Sequence, residues 1–355
     1  MNTPEIPDFY KKVILVNRPV GLPKESDFSL VDTPMPIPKN GEILVRAHYL
    51  SADPFQRMRL DEKSGYGKTL NIGDTVLGRI VGDVVISNNL DFKIGDFVEG
   101  MLGWQEYAIS DCSNKRAEYA PGITKIDPNI GSISSWLGIL GFPGITAYFS
   151  LLKTAKLSNN ENVLVSAAAG AVGSIVGQIA KIMNCKVIGI TSTQEKSQYI
   201  KQTLGFDEAI SYKETEDITK QIKKRFPQGI DVFIDNTGGH IADSVFPCLN
   251  QNARVVLVGN ISQNNITTKT KRKDFQNIFM SKRIEVNGFI VYDFENIADE
   301  ARNKIGNWLN NKRIQFPQTI EFGIEHAPKA FISMLNGKNI GKQLIQLKIS
   351  QEKNT

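Results

Sequence analysis

Short runs of alternating apolar and polar residues, separated by glycine and proline, fill roughly the first 140 positions of the chain. Glu42–Ala47, Gly78–Ile86 and Phe97–Gly100 are examples. Alternation of this kind is typical of half-buried strands, and turn-forming residues between the runs favour antiparallel neighbours. The region therefore predicts an antiparallel, barrel-like β domain.

From about residue 140 the pattern changes to strands that alternate with helical segments, which predicts a doubly wound parallel sheet and an α/β fold class. The chain then returns to short strands at Thr319–Phe322 and Gln343–Ile349, around a helix at Pro328–Leu335. This return predicts that the parallel-sheet domain is inserted into the β domain. The predicted parallel strands are Asn162–Ala167, Cys185–Ile190, Glu208–Tyr212, Asp231–Asp235, Arg254–Val258 and Ile284–Ile290.

The first parallel strand leads into a turn that is typical of a phosphate-binding site. Gly170 and Gly173 supply backbone without side chains, as needed where a pyrophosphate approaches and where helix and strand pack closely. Ala168 stands where the usual G-x-G-x-x-G pattern has its first glycine, so an ordinary strand-to-helix turn is the alternative. A helical apolar face follows, formed by Val172, Ile175, Val176, Ile179 and Ile182.

The end of the second parallel strand bears on the choice of dinucleotide. An NAD-specific site places an acidic residue about 20 residues beyond the glycines, where it binds the ribose. Here Ile190 is followed by hydroxyl residues and then by Glu195 and Lys196. A lysine in this region favours the 2′-phosphate of NADP(H), although a solvated lysine on the next helix is the alternative interpretation.

Length and composition agree with an enzyme of two domains. The 355 residues exceed what one core usually supports. The net charge of +5 is too small to imply nucleic acid, and the basic run Lys269–Lys273 is not interleaved with aromatic residues. The polar N-terminus and the lack of a long apolar run predict neither a signal peptide nor a membrane span. Three scattered cysteines favour a reducing cytoplasm.

Several motifs, in order along nearly the whole chain, resemble one branch of the medium-chain dehydrogenase/reductase superfamily. The branch is that of leukotriene B4 dehydrogenase, prostaglandin reductase, curcumin reductase and alkenal double-bond reductases, which is zinc-independent. The motifs are Asn17–Gly21, Ser51–Arg57, Gly103–Ala108, Leu140–Tyr148, Ser166–Lys181, Asp231–Gly239, Val258–Asn265 and Asn336–Lys342.

This resemblance implies a GroES-like antiparallel β-barrel domain at 1–139 and 318–355, with a Rossmann NADP-binding domain at 140–317 inserted in it. It also implies a homodimer, a cofactor cleft between the domains, and NADPH-dependent reduction of the carbon–carbon double bond of a hydrophobic α,β-unsaturated ketone or aldehyde. Neither nucleic acid nor a membrane is an expected partner.

The resemblance also carries cofactor contacts onto residues that follow the carboxyl ends of predicted strands. The first helix turn would meet the pyrophosphate, Lys196 and Tyr212 the 2′-phosphate, and Asn236 the nicotinamide side; the remaining residues would enclose the cofactor. The full set is Ala171, Val172, Gly173, Ser174, Lys196, Tyr212, Asn236, Val258, Gly259, Asn260, Ile261, Ser262, Phe289, Ile290, Val291 and Asn339.

A catalytic zinc, which other members of the superfamily carry, is not expected. A zinc site needs three or four cysteine, histidine or carboxylate ligands that converge on one point. His48, His240 and His326 lie in three separate segments, and the loop Ala52–Pro54 has no cysteine. We therefore expect no metal.

The substrate side departs from the family pattern at two positions. Relatives usually have tyrosine where this chain has Phe55 and Asn264. A donor at such a position can stabilise the enolate oxygen as charge develops on it. Tyr66 and Asn264 are the candidate catalytic donors, Phe55 cannot donate, and Tyr49 is a further candidate whose alternative role is core packing.

Three functions are compatible with the sequence. The leading hypothesis is an enone, alkenal or prostaglandin-type double-bond reductase. A quinone reductase would share the fold and cofactor, and the missing tyrosines make it more credible. A non-catalytic NADPH-binding sensor or interaction protein is the alternative from another class.

Overall fold

The computed structural model describes residues 6–62, 67–113, 122–267 and 273–347. The strands in chain order are β1 Phe9–Leu15, β2 Phe28–Pro34, β3 Ile43–Ser51, β4 Ile80–Ser87, β5 Phe97–Gly100, β6 Tyr107–Ser110, β7 Thr124–Lys125, β8 Asn162–Val165, β9 Lys186–Thr191, β10 Glu208–Ser211, β11 Ile230–Asp235, β12 Leu249–Leu257, β13 Glu285–Gly288, β14 Gln318–Phe322 and β15 Lys342–Gln346. The α-helices are α1 Pro54–Arg59, α2 Phe142–Phe149, α3 Gly173–Ile182, α4 Gln194–Gln202, α5 Ile218–Arg225, α6 Gly239–Val245, α7 Gln276–Lys282, α8 Ala298–Asn310 and α9 Ala327–Leu335.

The chain divides into two compact units. The first comprises Met1–Leu137, Gln318–Asn339 and Gln343–Thr355, and the second comprises Gly138–Pro317 and Ile340–Lys342. In chain order, the second unit thus interrupts the first.

The first unit is built on an antiparallel sheet, as the alternating pattern predicts. Its strands follow the order β14-β15-β3-β4-β5-β7, while β6 pairs with β3 and β1 forms a hairpin with β2. Most residues of the central strand β3 are buried, among them Leu44, Val45 and Leu50. Gly82 of β4 allows the backbones to meet, because a Cβ there would lie 2.0 Å from the carbonyl oxygen of Arg46.

Charged groups are buried in this unit as pairs. Arg79 donates to both carboxylate oxygens of Glu99, and both side chains are almost fully buried. Arg46 donates to both oxygens of Asp83 at 3.0 and 2.9 Å, and His48 Nε2 lies 2.6 Å from Asp83 Oδ1. Burial by itself would raise the pKa of Asp83, but the hydrogen bonds and charges of His48 and Arg46 outweigh it and lower the pKa below its ordinary value.

The second unit contains the predicted doubly wound sheet. Its six strands are parallel in the order β10-β9-β8-β11-β12-β13, which is the 3-2-1-4-5-6 order of dinucleotide-binding folds. The strands at its centre are apolar on both faces, because helices cover the sheet on both sides. Leu164, Ile188, Phe233 and Val255 belong to one fully buried cluster.

Element ends differ from the predicted ones for local reasons. β8 ends at Val165 rather than Ala167, because the turn begins at Ser166 and Ala167 adopts a left-handed φ of 48°. β12 begins at Leu249 rather than Arg254, because Leu249 pairs with Ile230 across a register shift. β13 stops at Gly288, so Phe289 and Ile290 belong to the following loop.

Within the described ranges, no helix combines the length and the apolar character that crossing a bilayer requires.

The buried pair in the first unit gives a stability prediction. We expect Glu99→Ala to lower the free energy of unfolding by about 3–5 kcal/mol, because Arg79 loses its carboxylate in apolar surroundings. Urea denaturation followed by circular dichroism measures the change. Lys11→Ala is the control: its ion pair with Asp32 is exposed and 3.7 Å long, so the loss should stay within about 1 kcal/mol. Equal losses in the two variants would contradict the prediction.

Candidate dinucleotide site

The turn between β8 and α3 uses its two glycines differently. A Cβ on Gly173 would lie 2.4 Å from the carbonyl oxygen of Ala167 and 2.9 Å from the Cα of Ala168, so no side chain fits between helix and turn. A Cβ on Gly170 would meet only the Ala167 carbonyl oxygen, at 3.1 Å. Gly173 therefore permits close packing, whereas Gly170 leaves its backbone approachable, as a pyrophosphate site requires.

The first turn of α3 presents donors at this position. Ala171 and Val172 are half-buried and lead into the helix, and Gly173 and Ser174 are buried. The Ser174 hydroxyl is fully buried and has no hydrogen-bond partner among the described residues. A buried hydroxyl without an acceptor is unfavourable, and helix N-termini favour anions. The residues therefore fit a phosphate group.

The carboxylate of Asp235, at the end of β11, organises the neighbouring strand ends. Its Oδ1 accepts hydrogen bonds from Ser166 Oγ at 2.9 Å, from the backbone N–H groups of Thr237 and Gly238 at 2.9 Å, and from Thr237 Oγ1 at 3.1 Å. Asn236 in turn donates from its backbone N–H to Ser166 Oγ and from Nδ2 to the Ser166 carbonyl, both at 2.8 Å. Asn236 is thereby held beside the glycine turn.

The two predicted 2′-phosphate contacts, Lys196 and Tyr212, lie in segments that follow neighbouring strands. Thr191 and Ser211 are paired across β9 and β10, and the backbone N–H of Tyr212 donates to the Thr191 carbonyl at 3.0 Å. Lys196 lies in the first turn of α4, which Thr193 caps by accepting from the Lys196 N–H at 3.3 Å. The structure thus brings the Lys196 and Tyr212 segments to one edge of the sheet.

Lys196 is an unusually buried lysine, with 9% of its surface exposed. Burial lowers its pKa, the charge of Lys213 lowers it further, and the charge of Glu195 acts in the opposite sense. Burial also raises the pKa of the Tyr212 hydroxyl. A phosphate bound beside Lys196 would favour its ammonium form, because an opposite charge compensates for desolvation.

The loops after β12 and β13 hold the remaining predicted contacts. The N–H groups of Val258 and Gly259 donate to the Asp235 carbonyl at 2.9 and 3.1 Å, and that of Ser262 donates to the Thr237 carbonyl at 3.1 Å. Asn260 precedes a 3₁₀ turn at Ile261–Gln263, and half-buried Asn264 ends it.

Phe289 is buried and stacks on Phe294 with ring centroids 5.2 Å apart. Ile290 and Val291, which follow it, are half-buried. Asn339 is half-buried after α9, in a segment of the first unit.

The candidate substrate-side residues are distributed over both units. Tyr66 lies outside the described residues. Phe55 is half-buried in α1 and Tyr49 is half-buried in β3, both in the first unit, while Asn264 belongs to the second. Their roles stay predictions. The basic run Lys269–Lys273 also lies outside the described residues, apart from Lys273.

Asp235, Ser166 and Ser211 were not among the residues predicted from the sequence. The Ser211 hydroxyl, beside Tyr212, is buried without a hydrogen-bond partner in the described part of the chain. Asp235 carried a usable signal, since an acidic residue at the end of an otherwise apolar strand must be satisfied by nearby donors. Ser166 and Ser211 carried no such signal, because serine is common at the ends of strands.

The histidines have separate surroundings. His48 pairs with Asp83, His240 is exposed in α6, and His326 Nδ1 lies 2.8 Å from the Phe322 carbonyl oxygen. Among the residues that the structure describes, no three histidine, cysteine, aspartate or glutamate side chains converge on one point.

A 3-2-1-4-5-6 parallel sheet with this glycine turn is typical of a dinucleotide-binding protein. Comparison with known proteins agrees with this class. The model of the N-terminal domain of oxidoreductase matches residues 11–117, and that of zinc-binding dehydrogenase matches residues 171–305.

Individual relatives match nearly the full length. The chain is 35% identical over 342 residues to the NADPH-dependent curcumin reductase of Escherichia coli, covering 95% of this chain and 96% of that one. It is 34% identical over 343 residues to the NADP(+)-dependent 2-alkenal reductase of Nicotiana tabacum, covering 95% and 97%. The crystal structure of CurA from Vibrio vulnificus in complex with NADPH is similar with a TM-score of 0.88 and 38% identity, covering 96% and 99%.

The chain belongs to the zinc-independent branch of the medium-chain dehydrogenase/reductase superfamily that includes the curcumin, 2-alkenal and prostaglandin reductases. It is an NADP(H)-dependent oxidoreductase of the alkenal/enone reductase type. The fold class, the family and the cofactor that the sequence predicted are confirmed.

The Asp235 network gives a testable prediction. We expect Asp235→Ala to lower the free energy of unfolding by about 3 kcal/mol, because the buried donors of Thr237 and Gly238 lose their acceptor. Asp235→Asn keeps one acceptor oxygen at this position, so its loss in the free energy of unfolding should be about half that of the alanine variant. NADPH affinity, measured by fluorescence titration, should fall in the same order. An alanine variant as stable as the wild type would contradict the prediction.

Proposed function

We propose that this chain reduces the carbon–carbon double bond of α,β-unsaturated ketones or aldehydes with NADPH. The observation that carries the proposal is the full-length similarity to a curcumin reductase and a 2-alkenal reductase, combined with a turn that fits a pyrophosphate. The substrate is a hydrophobic enone or alkenal. Its physiological setting is the cytoplasm, without a membrane or nucleic acid as partner.

The arrangement at the carboxyl ends of the strands supports the cofactor contacts that we propose. Ala171, Val172 and Gly173, at the start of α3, bind the pyrophosphate through their backbone N–H groups, and Ser174 binds it through its hydroxyl. Lys196 and Tyr212 bind the 2′-phosphate. Asn236, fixed by the Asp235 network, orients the nicotinamide, and the loops at Val258–Ser262 and Phe289–Val291 enclose it together with Asn339.

NADPH, when bound, supplies the hydride, so the protein contributes orientation and electrostatics. The β-carbon of the substrate accepts the hydride, and the α-carbon accepts a proton. During this step negative charge develops on the carbonyl oxygen, and a donor aimed at that oxygen lowers the barrier. Asn264 supplies an amide donor and Tyr66 a hydroxyl; Phe55 supplies none.

The protein acts as a homodimer in this proposal. Strand β13 lies at the edge of the parallel sheet and pairs with β12 on one side only, within the described residues. Its residues are largely exposed, including Val286 at 43%. An exposed edge strand presents unpaired backbone N–H and carbonyl groups, which favours pairing with a second chain. Light scattering measures the mass of the particle.

A quinone reductase is the second candidate. The observation that favours it is the presence of Phe55 and Asn264 where relatives usually have tyrosine, since a quinone ring needs less help from a precisely placed hydroxyl. A non-catalytic NADPH-binding protein is the third. An assay that follows NADPH absorbance with an enone, with a quinone and with neither acceptor separates the three functions. Consumption of NADPH with the quinone but not with the enone, or no consumption with either acceptor, would overturn the enone proposal.

Lys196 gives a prediction on cofactor choice. Lys196→Ala should weaken NADPH binding by about 10- to 100-fold and leave NADH binding nearly unchanged, because only NADPH carries the 2′-phosphate that the ammonium group would bind. Dissociation constants for both cofactors measure this. Lys201→Ala on the same helix is the control, since Lys201 is exposed and pairs with Glu208. Equal losses for both cofactors would refute the assignment.

Asn264 gives a prediction on the chemical step. Asn264→Ala should lower the kcat for an enone by about 100-fold and spare NADPH binding, because the lost donor acts mainly in the transition state. Asn264→Tyr should raise turnover, and Phe55→Tyr should do so only if its hydroxyl reaches the same oxygen. Gln263→Ala, one position earlier, controls for loop disturbance. Unchanged enone kinetics in all three test variants would remove both positions from the active site.

A further inference from the structure

Strand β10 of the second unit ends in a hydroxyl whose donor the described residues do not use. Ser211, the last residue of β10, is 7% exposed, and its Oγ is buried without a hydrogen-bond partner in the part of the chain that the structure describes. A buried hydroxyl without an acceptor is unfavourable, and an acceptor that arrives with a ligand removes this cost. The position therefore fits a ligand that brings an acceptor oxygen to this strand end.

The register of the parallel strands gives the direction of the Ser211 side chain. Ser211 is paired with Thr191 of β9, and two residues earlier Ala209 is paired with Gly189. Paired residues of parallel strands present their side chains on the same face, and every second residue shares that face. A Cβ on Gly189 would lie 2.3 Å from Cδ1 of Ile200 in α4. The Ser211 side chain is therefore on the face of the sheet that α4 covers.

The neighbouring hydroxyls on this face satisfy each other. Thr191 Oγ1 donates to the carbonyl oxygen of Thr193 at 3.0 Å and lies 2.7 Å from Ser197 Oγ of α4. A hydroxyl has one proton to donate, so Ser197 is the donor in its pair with Thr191. Ser211 lies beside this pair, and its own proton has no acceptor among the described residues.

The charges around this strand end suit an anion. Lys196, which precedes Ser197 in α4, is buried. The charge of Lys213, two residues after Ser211, lowers the pKa of Lys196, and the charge of Glu195 raises it. Two ammonium groups close together disfavour each other, and a bound phosphate compensates both of them.

The nearby carboxylate of Glu214 is used at another point. Its Oε1 accepts a hydrogen bond from the backbone N–H of Gln194 at 3.0 Å, at the start of α4, where a negative charge is favourable. The backbone N–H of Glu214 donates to the Ser211 carbonyl oxygen at 3.3 Å. Glu214 thus attaches the turn after β10 to the first turn of α4, which keeps Ser211 and Lys196 in adjacent segments.

We propose that Ser211 is a further specificity-determining residue for NADP(H), and that its hydroxyl donates to the 2′-phosphate. A phosphate oxygen is a charged acceptor, so it forms a stronger hydrogen bond with a buried hydroxyl than the uncharged ribose hydroxyl of NADH does. The inference rests on the proposed function, which assigns the 2′-phosphate to Lys196 and Tyr212. It adds a residue that the cofactor contacts carried over by resemblance do not include.

The test compares ligands that differ only in the 2′-phosphate. Isothermal titration calorimetry measures the dissociation constants of adenosine 2′,5′-bisphosphate against 5′-AMP, and of NADPH against NADH. Ser211→Ala should weaken binding of the bisphosphate and of NADPH about tenfold and leave 5′-AMP and NADH within about twofold of the wild type. Ser211→Thr keeps a hydroxyl and should bind NADPH within about threefold of the wild type.

Unfolding of the cofactor-free protein in urea is the second measurement. Ser211→Ala removes a hydroxyl without a partner in the described chain, so its unfolding midpoint should not fall. Ser197→Ala is the matched control, because the Ser197 hydroxyl is already paired with Thr191. This control should unfold at a lower urea concentration and keep the wild-type ratio of NADPH to NADH affinity.

Bisphosphate affinity within twofold of the wild type in Ser211→Ala, or equal losses for NADPH and NADH, would overturn the proposal. A midpoint that falls as far in Ser211→Ala as in Ser197→Ala would also overturn it, because the hydroxyl would then have a partner inside the protein. If the wild type reduces no enone, the proposed function fails, while the binding measurements still decide the role of Ser211.

Discussion

The buried carboxylate of Asp235 is the interaction on which the dinucleotide site depends. A carboxylate inside a protein must be satisfied by hydrogen bonds or ionic partners, and this one draws four donors onto a single oxygen. Those donors come from the end of β8 and from the segment after β11, so the two central strand ends of the sheet are held together. The glycine turn on one side and Asn236 on the other are fixed relative to each other as a result.

In the first unit, arginine side chains are the hydrogen-bond partners of buried carboxylates and of backbone carbonyl groups. Arg79 and Arg46 place their charges against buried carboxylates, while Arg18, Arg57 and Arg59 place theirs largely against backbone carbonyls. A carbonyl oxygen outside regular secondary structure needs a donor when water is excluded. A guanidinium group supplies several donors from one side chain. It can therefore satisfy the carbonyl groups of irregular segments, which lack the hydrogen-bond partners that strands and helices provide. Irregular segments of this kind commonly carry functional residues on a rigid scaffold.

The glycine turn and the choice of NADP(H) were predictable, because both depend on local sequence. Gly170 and Gly173 follow a buried strand at fixed spacing, and the residues after Ile190 include no acid in the position that an NAD site requires. Asp235 and Ser166 escaped prediction because their pairing joins positions that are far apart in sequence. The roles of Phe55, Tyr66 and Asn264 rest on resemblance, since no local pattern states which atoms face a substrate.

The sequence alone determined the order of the elements and the fold class, because apolar periodicity is a local property of each strand and helix, and its motifs indicated the family by resemblance. Only the tertiary structure decided that β8 lies between β9 and β11, where its turn meets the Asp235 network. It alone showed that Lys196 is buried and that Arg18 reaches Leu60 and Leu70. Burial and long-range hydrogen bonds arise from packing between distant segments, and periodicity along one segment does not record them.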